Sequence, residues 1–354
     1  MSRRYKGGVI SATAPVPTGP YQSGTAPGIW TLPRQMQSAA AGTWPTAGNI
    51  LFNTIAVMTG GTNGSLSNGP YDWNSVTNSQ IPTPGFIGSN NIIAYNGTRF
   101  VACPYFGVPK YTTNGVTWTT GTITGGGTAT GVGVAWNGSL FVMGLYGTAD
   151  NLISSDGITW TRNSTLSYSS AATTHKGTQF LIVSSDGYSA FSIRFSTSTD
   201  GSSWSTATSS LSNMYVTSAI SNGSTYVVLT AGAGGSRSFT STDGVNWSSV
   251  SMPVNNSWSG LAWGNGVFVA TPQGNYNQSA ASSTAAYSTD GVTWNTTSIG
   301  YSGFWSSVVW NGTNFLTGDS GSGFVAASSD GITWSLVVGL SLQGTVLLCS
   351  KTLA

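Results

Sequence analysis

With 354 residues and a formal net charge of +2, the chain is long enough for a large core but too weakly basic to indicate nucleic-acid binding. Only 6% of its residues are charged, whereas it has 14 Trp and 14 Tyr, a composition unlike that of a disordered chain. Two cysteines and one histidine give neither a disulfide framework nor a zinc spacing, and no apolar stretch is long enough to cross a membrane. We therefore expect an ordered protein that needs no cofactor and no metal, with Cys103 and Cys349 as buried free thiols rather than a bridge.

Residues 1–48 do not share the pattern of the rest and are predicted to form an N-terminal arm. The first part of the arm is rich in Pro, Gly and Ser, which favours an extended segment. Thr31 can cap a helix, Pro33 suits a first helical turn and Gly42 suits a helix end, so a short helix is expected over Leu32–Ala41. The basic residues near the N-terminus are not followed by an apolar stretch and do not indicate a signal peptide.

Three strings characterise the arm: GGVISATAP at 7–15, GIWTL at 28–32 and AGTWP at 41–45. Together they resemble an N-terminal segment seen on many virion structural proteins of marine tailed phages of the cyanophage type. The resemblance implies that residues 1–48 dock the protein to other virion proteins, the alternative being that the arm only packs across its own domain. The apolar side chains expected at the docking contact are Trp30, Leu32, Met36 and Trp44.

From residue 49 onward a seven-residue phrase recurs, reading Ser/Thr-Ser/Thr-Asp-Gly-x-x-Trp in most copies. A worn copy ends at Trp73, and the steps between successive Trp residues are 40 to 47 residues. Such a period is typical of stacked or radially arranged units. The full copies are Thr112–Trp118, Ser154–Trp160, Ser198–Trp204, Ser241–Trp247, Ser288–Trp294 and Ser328–Trp334.

Each unit is predicted to contain four short antiparallel strands, A to D. An Asn-Gly-like pair marks the A–B turn and the Asp-Gly of the phrase marks the C–D turn, and both are hairpin signals because their two central residues are expected at positive φ. In the second complete unit the strands are expected at Gly133–Trp136, Leu140–Leu145, Leu152–Ser155 and Ile158–Arg162. Four strands in a period of about 43 residues is the pattern of a β-propeller blade.

The predicted fold is therefore an all-β, seven-bladed β-propeller of four-stranded antiparallel blades over residues 49–354. Six complete blades run from about 88 to about 338. The seventh is expected to be closed by both chain ends, with an A strand at 344–349 and the other three strands from 49–73. Sharing one blade in this way pairs the strand edges that an open ring would expose.

The repeated phrase resembles the Asp-box of sialidases and related propellers, in a variant with one residue fewer between Asp and Gly. Its hydroxyl and carboxylate can accept backbone N–H bonds across the turn, its Gly supplies a left-handed position, and its Trp can fill space between blades. Because the copies cannot all be one active site, these residues are interpreted as scaffold. They are Asn114, Asp156, Asp200, Asp243, Asp290 and Asp330 with Trp118, Trp160, Trp204, Trp247, Trp294 and Trp334.

The Asp-box resemblance also implies a glycan hydrolase, which other residues contradict. Sialidases use an arginine cluster, an acid/base Asp and a Tyr nucleophile assisted by a Glu, but this chain contains no Glu. Nothing in the spacing of Asp150 and Asp319 favours a catalytic pair, and His175, which replaces an aromatic residue of other units, is interpreted as structural. No catalytic residue is predicted. Four arginines fall on different units, at Arg99, Arg162, Arg194 and Arg237.

The B–C and D–A connections are expected at the face opposite to the hairpin turns, and they vary between units. Variable loops on a rigid scaffold are where recognition is expected. Aromatic rings with amide and hydroxyl neighbours suit neutral saccharides, the alternative being that these rings cap the core. The candidate ligand-binding residues are Tyr188, Arg194, Arg237, Tyr276, Trp258 and Trp305.

The arm and the repeat together predict a non-enzymatic structural protein of a tailed-phage virion, made in the host cytoplasm. It is expected to dock through its arm, to be oligomeric in the particle, and to display the propeller for attachment to a host cell-surface glycan or as decoration. The alternatives are a sialidase-like hydrolase, disfavoured by the missing Glu, and a lectin-like cellular propeller, disfavoured by the phage-like arm.

Overall fold

A computed structural model describes residues 55–58, 64–67, 92–103, 106–113, 118–185, 192–209, 211, 214–232, 235–275, 281–337 and 347–350. The arm at 1–48, with its expected helix, lies outside the described residues, so the docking roles of Trp30, Leu32, Met36 and Trp44 stay predictions. Asn114, Tyr188 and Tyr276 also lie outside the described residues, so the roles predicted for them stay predictions. Within the described part every regular element is a β-strand, and no helix there is long and apolar enough to cross a membrane.

The strands of the described residues gather in seven sheets. In chain order they are β1 (Ile55–Met58), β2 (Gly64–Ser67), β3 (Ile93–Tyr95), β4 (Phe100–Ala102), β5 (Lys110–Thr112), β6 (Thr119–Thr120), β7 (Thr122–Ile123), β8 (Gly131–Trp136), β9 (Phe141–Leu145), β10 (Asn151–Ser154), β11 (Thr159–Asn163), β12 (Ser170–Lys176), β13 (Gln179–Ser185), β14 (Ile193–Ser198), β15 (Ser205–Thr208), β16 (Tyr215–Ser221), β17 (Tyr226–Ala231), β18 (Arg237–Ser241), β19 (Ser248–Ser251), β20 (Asn256–Gly264), β21 (Val267–Asn275), β22 (Ser282–Ser288), β23 (Asn295–Gly303), β24 (Trp305–Trp310), β25 (Phe315–Asp319), β26 (Val325–Ser328), β27 (Ser335–Leu336) and β28 (Leu347–Ser350).

Six sheets contain four or five strands, and each corresponds to one unit of the repeat. We number them blades 1 to 6: they begin at β3, β8, β12, β16, β20 and β24. In each, the strands A to D pair antiparallel in sequence order, as in β12-β13-β14-β15. In blade 2 the four strands β8 to β11 begin and end within two residues of their predicted bounds. The prediction of an all-β protein built from four-stranded antiparallel blades is confirmed.

Blade 2 carries a fifth strand that the sequence did not predict. β7 runs parallel to the outer strand β11. The N–H groups of Thr122 and Thr124 donate to the carbonyls of Ile158 and Trp160, both at 2.8 Å. The chain that connects blades 1 and 2 therefore covers the outer edge of blade 2, where an unpaired strand would invite pairing with another chain.

A three-stranded sheet joins the two ends of the propeller region. β28, close to the C-terminus, pairs antiparallel with β1, and β1 pairs antiparallel with β2. This is the pairing expected for a blade shared between the chain ends. Its fourth strand would fall on residues outside the described part, so the count of seven blades stays a prediction.

The A strands lie innermost, and β8, β12, β16, β20 and β24 contact one another in turn. B strands such as β9 and β17 are buried along their whole length, because each blade face is covered by a neighbouring blade. The outer strand β15 is largely exposed and consists of Ser, Thr and Ala. The apolar core consequently lies between blades, and the loops at the two ends of the propeller are left to face solvent.

Most A–B turns differ from the expectation that both central residues have positive φ. Among the described residues other than Gly, only Asn265 has a positive φ, of 46°. It forms a two-residue turn with Gly266. In blade 2 the side chain of Asn137 closes a longer loop, since its Oδ1 accepts the N–H groups of Ser139 and Leu140 at 3.0 and 2.9 Å. The positions of the hairpins were predicted correctly. The predicted turn type, with positive φ at both central residues, was wrong for most A–B turns, because the Asn side chain takes the place of a backbone acceptor. The same bonds recur at Asn96, Asn222 and Asn311.

Candidate functional site

The repeated phrases, which we call Asp-boxes after the motif that they resemble, use their polar side chains to close the C–D turns. In blade 2, Ser154 Oγ donates to Asp156 Oδ1 at 2.9 Å and accepts the N–H of Gly157 at 2.7 Å. Asp156 Oδ1 also accepts the N–H groups of Ile158 and Thr159 at 2.8 and 2.9 Å. The same four bonds, at 2.7 to 3.0 Å, recur in the boxes of Asp200, Asp243, Asp290 and Asp330.

These hydrogen bonds favour the ionised carboxylate. The backbone N–H groups of Ser203 and Ser202 lower the pKa of Asp200 to about 2. At Asp330 burial raises the pKa, but the turn N–H groups outweigh it and the pKa falls to about 2. A carboxyl group with so low a pKa is poorly suited to act as a general acid near neutral pH. The pKa is also lowered at Asp156, Asp243 and Asp290.

Each box also packs against the preceding blade. The ring of Trp247 in blade 4 stacks on Phe195 in blade 3, with centroids 3.8 Å apart and an interplanar angle of 13°. The indole N–H groups of Trp204, Trp247 and Trp294 donate to the Gly carbonyls of their own boxes at 2.9 to 3.1 Å. Those of Trp118, Trp160 and Trp334 have no partner among the described residues. These contacts are the ones expected of a scaffold motif.

Two of the predicted ligand-binding aromatics are part of the core. Trp258 lies in β20 and Trp305 in β24, and the exposed fraction of each side chain is 0%. Their indole N–H groups donate to the carbonyls of Val254 and Tyr301 at 3.0 and 3.3 Å. Neither ring offers a face to a ligand, which corrects the expectation that they lie in loops. The A strands begin earlier than the turn signals indicate, and the rings are drawn into the space between blades.

The four arginines outside the arm are engaged at separate places. Arg162 pairs with Asp150 at 3.0 Å within blade 2, and its other terminal nitrogen donates to the carbonyl of Thr128 at 2.7 Å. The guanidinium of Arg99 lies 5.6 Å from the ring centroid of Tyr111 in blade 1. In blade 4, Arg237 Nη1 lies 3.5 Å from Ser249 Oγ, and Arg194 belongs to blade 3.

Asp319 organises a loop rather than facing solvent. Only 2% of the residue is exposed, and its carboxylate accepts the N–H groups of Phe304, Gly321 and Ser322 at 2.7 to 3.0 Å, as well as the Ser322 hydroxyl. Burial raises its pKa, but these bonds outweigh it and lower the pKa. Asp319 in blade 6 and Asp150 in blade 2 therefore each stabilise a separate part of the structure and do not form a pair.

His175 and Cys103 are also part of the scaffold. His175 is paired with Phe180 across strands A and B of blade 3, as Trp136 is paired with Phe141 in blade 2. Its Nδ1 lies 3.1 Å from the carbonyl oxygen of Gly177. Burial lowers the pKa of His175 and raises that of Cys103, which is a free thiol. Among the described residues no three His, Cys, Asp or Glu side chains cluster closely enough to hold a metal ion.

A group of exposed aromatic side chains does occur at the loop face, the end of the propeller where the B–C and D–A connections emerge. The exposed fraction is 76% for Phe106, in the B–C connection of blade 1, and 46% for Tyr146, in that of blade 2. Tyr168 lies in the D–A connection that follows blade 2, and the guanidinium carbon of Arg194 lies 3.5 Å from its ring centroid. We call Phe106, Tyr146, Tyr168 and Arg194 the aromatic strip.

A chain of backbone contacts brings these loops together. Gly107, next to Phe106, exchanges two hydrogen bonds with Ala129 at 3.0 and 2.7 Å. Thr130, the next residue, accepts the N–H of Tyr146 at 2.8 Å. Gly147 then donates to Ser169 Oγ at 2.8 Å, beside Tyr168.

The strip therefore crosses blades 1 to 3 on connected loops rather than on independent ones. Of its members the sequence predicted only Arg194. Hydrophobic periodicity carries no signal for Phe106, Tyr146 or Tyr168, because they lie in connections outside the strands.

No protein-family model matches the sequence, and no curated protein matches it significantly. Solved structures do resemble the fold. Streptogramin B lyase has a TM-score of 0.56 at 10% identity, covering 74% of this chain and 86% of its own. YCF48 from Cyanidioschyzon merolae has a TM-score of 0.53 at 15% identity, covering 75% and 88%. A GH74 xyloglucanase from Xanthomonas campestris has a TM-score of 0.53 at 15% identity, covering 72% and 46%. These likenesses show the β-propeller fold.

Proposed function

We propose that this chain is a non-enzymatic glycan-binding propeller, carried on the virion of a tailed phage for attachment to the host surface. The observation that carries the proposal is the aromatic strip on the loop face. Three aromatic rings lie there on connected loops beside the guanidinium of Arg194 at the start of β14, in a protein with few charged residues.

The chemistry of the strip suits a sugar chain. Aromatic rings present flat apolar faces against which the C–H faces of a pyranose can pack. The guanidinium of Arg194 stacks on the ring of Tyr168 and adds a flat, positively charged group to the strip. Because the strip crosses three blades, it would contact several consecutive sugar units rather than one.

Binding without catalysis is supported by the engagement of the carboxylates in the part of the chain that the structure describes. Those of the five described Asp-boxes close turns, that of Asp150 pairs with Arg162, and that of Asp319 is buried in its own loop. The chain has no Glu that could assist a nucleophile. Attachment to a virion rests on the resemblance of residues 1–48 to phage structural proteins, with decoration of the particle as the other role of a displayed propeller.

The test of glycan binding is a glycan array with the full chain, followed by titration of the best ligand. A Phe106→Ala, Tyr146→Ala double variant is expected to bind on the order of tenfold to a hundredfold more weakly, since each stacked ring contributes about 0.5–1.5 kcal/mol. The matched control is Val245→Ala, Val292→Ala, which removes two exposed apolar side chains at the box end of the propeller and should leave affinity unchanged.

Two results would overturn the proposal. An array without ligands would leave particle decoration as the role of the propeller. Release of fluorophore from a fluorogenic sialoside, or of sugars from a bound glycan, would show that the chain is an enzyme.

The arm is tested separately in the full chain. Trp30→Ala with Trp44→Ala is expected to prevent incorporation into particles assembled in infected cells, while the purified variant binds glycan like the parent. Normal incorporation would remove these side chains from the docking contact.

A further inference from the structure

A shallow crevice of about 370 Å³, largely open to solvent, lies at the box end of blade 3, on the side that faces blade 4. Gln179 at the start of β13, Thr197 near the end of β14 and Ser205 at the start of β15 form one wall. Thr199, Ser203 and Trp204 of the Asp-box complete the lining. It lies at the opposite end of the propeller from the aromatic strip.

The neighbouring blade fixes the inner end of the crevice. Tyr226 of blade 4 donates its hydroxyl to the carbonyl and side-chain oxygens of Gln179 at 2.9 and 3.1 Å. A Cβ on Gly244 would come within 2.6 Å of Thr197 Cγ2, so this threonine is packed tightly and only 6% exposed. The indole of Trp204 is held by its hydrogen bond to the Gly201 carbonyl at 3.1 Å. The walls are therefore rigid, whereas the rim at Ser203 and Ser205 is open to solvent.

Three other blades have a larger side chain at the equivalent position. The register of strands B and C places Tyr111 in blade 1, Ile153 in blade 2 and Tyr287 in blade 5 at the position of Thr197. Blade 4 has a threonine there, but Asn246 replaces Ser203 and its amide donates to Asp243 Oδ2 at 2.8 Å. Blade 6 also has small residues at both positions, Ala327 and Thr333, but it lacks the hydroxyl group of Thr197. In blade 3 the small residues at both positions leave the crevice open, and Thr197 adds a hydroxyl group to its wall.

The lining consists of hydroxyl and amide groups with one aromatic side chain, and none of these side chains is ionised. Ligand pockets commonly start at about 300 Å³, so the volume is sufficient for one small molecule. Hydroxyl and amide groups both donate and accept hydrogen bonds, which matches a ligand with several hydroxyl groups and no charge. An ionic ligand would lack a partner within this lining.

We propose that the crevice of blade 3 binds a single neutral sugar residue or a similar polyol, as a second site independent of the aromatic strip. Thr197 and Gln179 would bind the innermost hydroxyl groups, and Ser203 and Ser205 the outer ones.

The experiment is saturation-transfer difference NMR of the full chain with glucose, galactose and mannose at millimolar concentration. Thr197→Tyr places in blade 3 the residue that blades 1 and 5 carry, and it is expected to abolish the signal of the bound sugar. Thr197→Val keeps the shape and the contact with Gly244 but loses the hydroxyl, so binding should weaken by about threefold to tenfold. Circular dichroism checks the fold of both variants, and if Thr197→Tyr fails to fold, Thr197→Val carries the test.

Both Thr197 substitutions are made in the Phe106→Ala, Tyr146→Ala variant, so that the aromatic strip does not contribute to the signal of single sugars. Loss of the signal in that variant would place single-sugar binding on the aromatic strip and overturn the proposal. The absence of signal with all three sugars, or a wild-type signal from folded Thr197→Tyr or Thr197→Val, would overturn it as well.

Discussion

At the residue scale, the glycine of each Asp-box satisfies two conditions together. Gly291 has a φ of 77°, a backbone conformation that is strained for any residue with a side chain. A Cβ at this position would also come within 2.6 Å of Val227 Cγ2 on the preceding blade. The turn and the contact between blades therefore require the same residue, which explains why Gly follows Asp in each of the five copies that carry Asp.

We expect Gly291→Ala to be far more destabilising than Gly223→Ala. Gly223 has a φ of 90° but open space around it, so its variant bears only the backbone strain of about 1–2 kcal/mol. Gly291→Ala adds a clash inside the core, for a loss of about 2–5 kcal/mol in all. Urea unfolding followed by tryptophan fluorescence gives both values, and equal losses would show that the blades separate freely at this contact.

Residue type alone did not identify which aromatic side chains are exposed. Trp258 and Trp305 were predicted as ligand-binding residues because turn signals placed them in connections, yet both are in A strands between blades. Phe106 and Tyr146 drew no prediction, although they are exposed. Exposure in a propeller depends on how far each strand extends and on the neighbouring blade, and neither is encoded in a local pattern.

At the element scale, Asn serves two kinds of A–B turn. Asn265 has positive φ itself, whereas Asn137 keeps an ordinary φ and accepts two backbone N–H groups with its side chain. Each also donates its amide to the following blade, to the carbonyls of Ser329 at 3.1 Å and Thr178 at 2.8 Å. Asn137 and Asn265 therefore make the same kind of contact with the following blade, but they stabilise different kinds of turn.

Replacing each Asn by Gly is expected to change the stability by different amounts in the two kinds of turn. Asn137→Gly is expected to lose about 1–2 kcal/mol of stability, because two N–H groups lose their acceptor. Asn265→Gly should be close to neutral, since relief of the positive φ offsets the lost contact. Thermal unfolding of the two variants measures the difference, and a similar loss in both would mean that the contact between blades, rather than the turn, explains the role of Asn.

The strands themselves were predictable because each hairpin carries a local signal at a fixed offset from an apolar pair. Blade 2 was therefore placed within two residues. β7 was missed because its two residues have no pattern of their own and become a strand only by pairing with β11. The turn type at Asn137 was missed for a related reason, since Asn-Gly fits both turns and the loop length decides between them.

At the scale of the whole molecule, the period of the repeat was enough to predict the propeller, while the aromatic strip required the structure. A repeat fixes what all blades share, which is the core and the turns. The two binding sites that we propose depend on residues of particular blades: the exposed loop aromatics of blades 1 and 2, and Thr197 with Ser203 in blade 3. Such departures from the pattern are visible in the sequence only once the equivalent positions have been aligned by strand register.

The five described Asp-boxes also give the molecule a common response to acid. Their carboxylates have lowered pKa values in the folded protein, about 2 for Asp200 and for Asp330, against about 3.9 in an unfolded chain. The unfolded state therefore binds more protons in this range. The stabilisation is fully present above about pH 4 and is lost as the pH falls towards 2.

We expect the midpoint of thermal unfolding to be steady above about pH 4 and to fall steeply between about pH 4 and 2, because the boxes are protonated over the same range. Asp200→Asn with Asp330→Asn removes two of these groups but keeps an oxygen that can accept the turn N–H bonds. This variant should have a flatter profile over that range, even if its midpoint at pH 6 is lower. The control is Asp150→Asn, which breaks the ion pair with Arg162 and leaves every box intact, so its profile should fall as steeply as that of the parent. Parallel profiles for the parent and the box variant would show that the turn carboxylates do not control acid stability, and that the boxes hold the blades together through Gly and Trp packing alone.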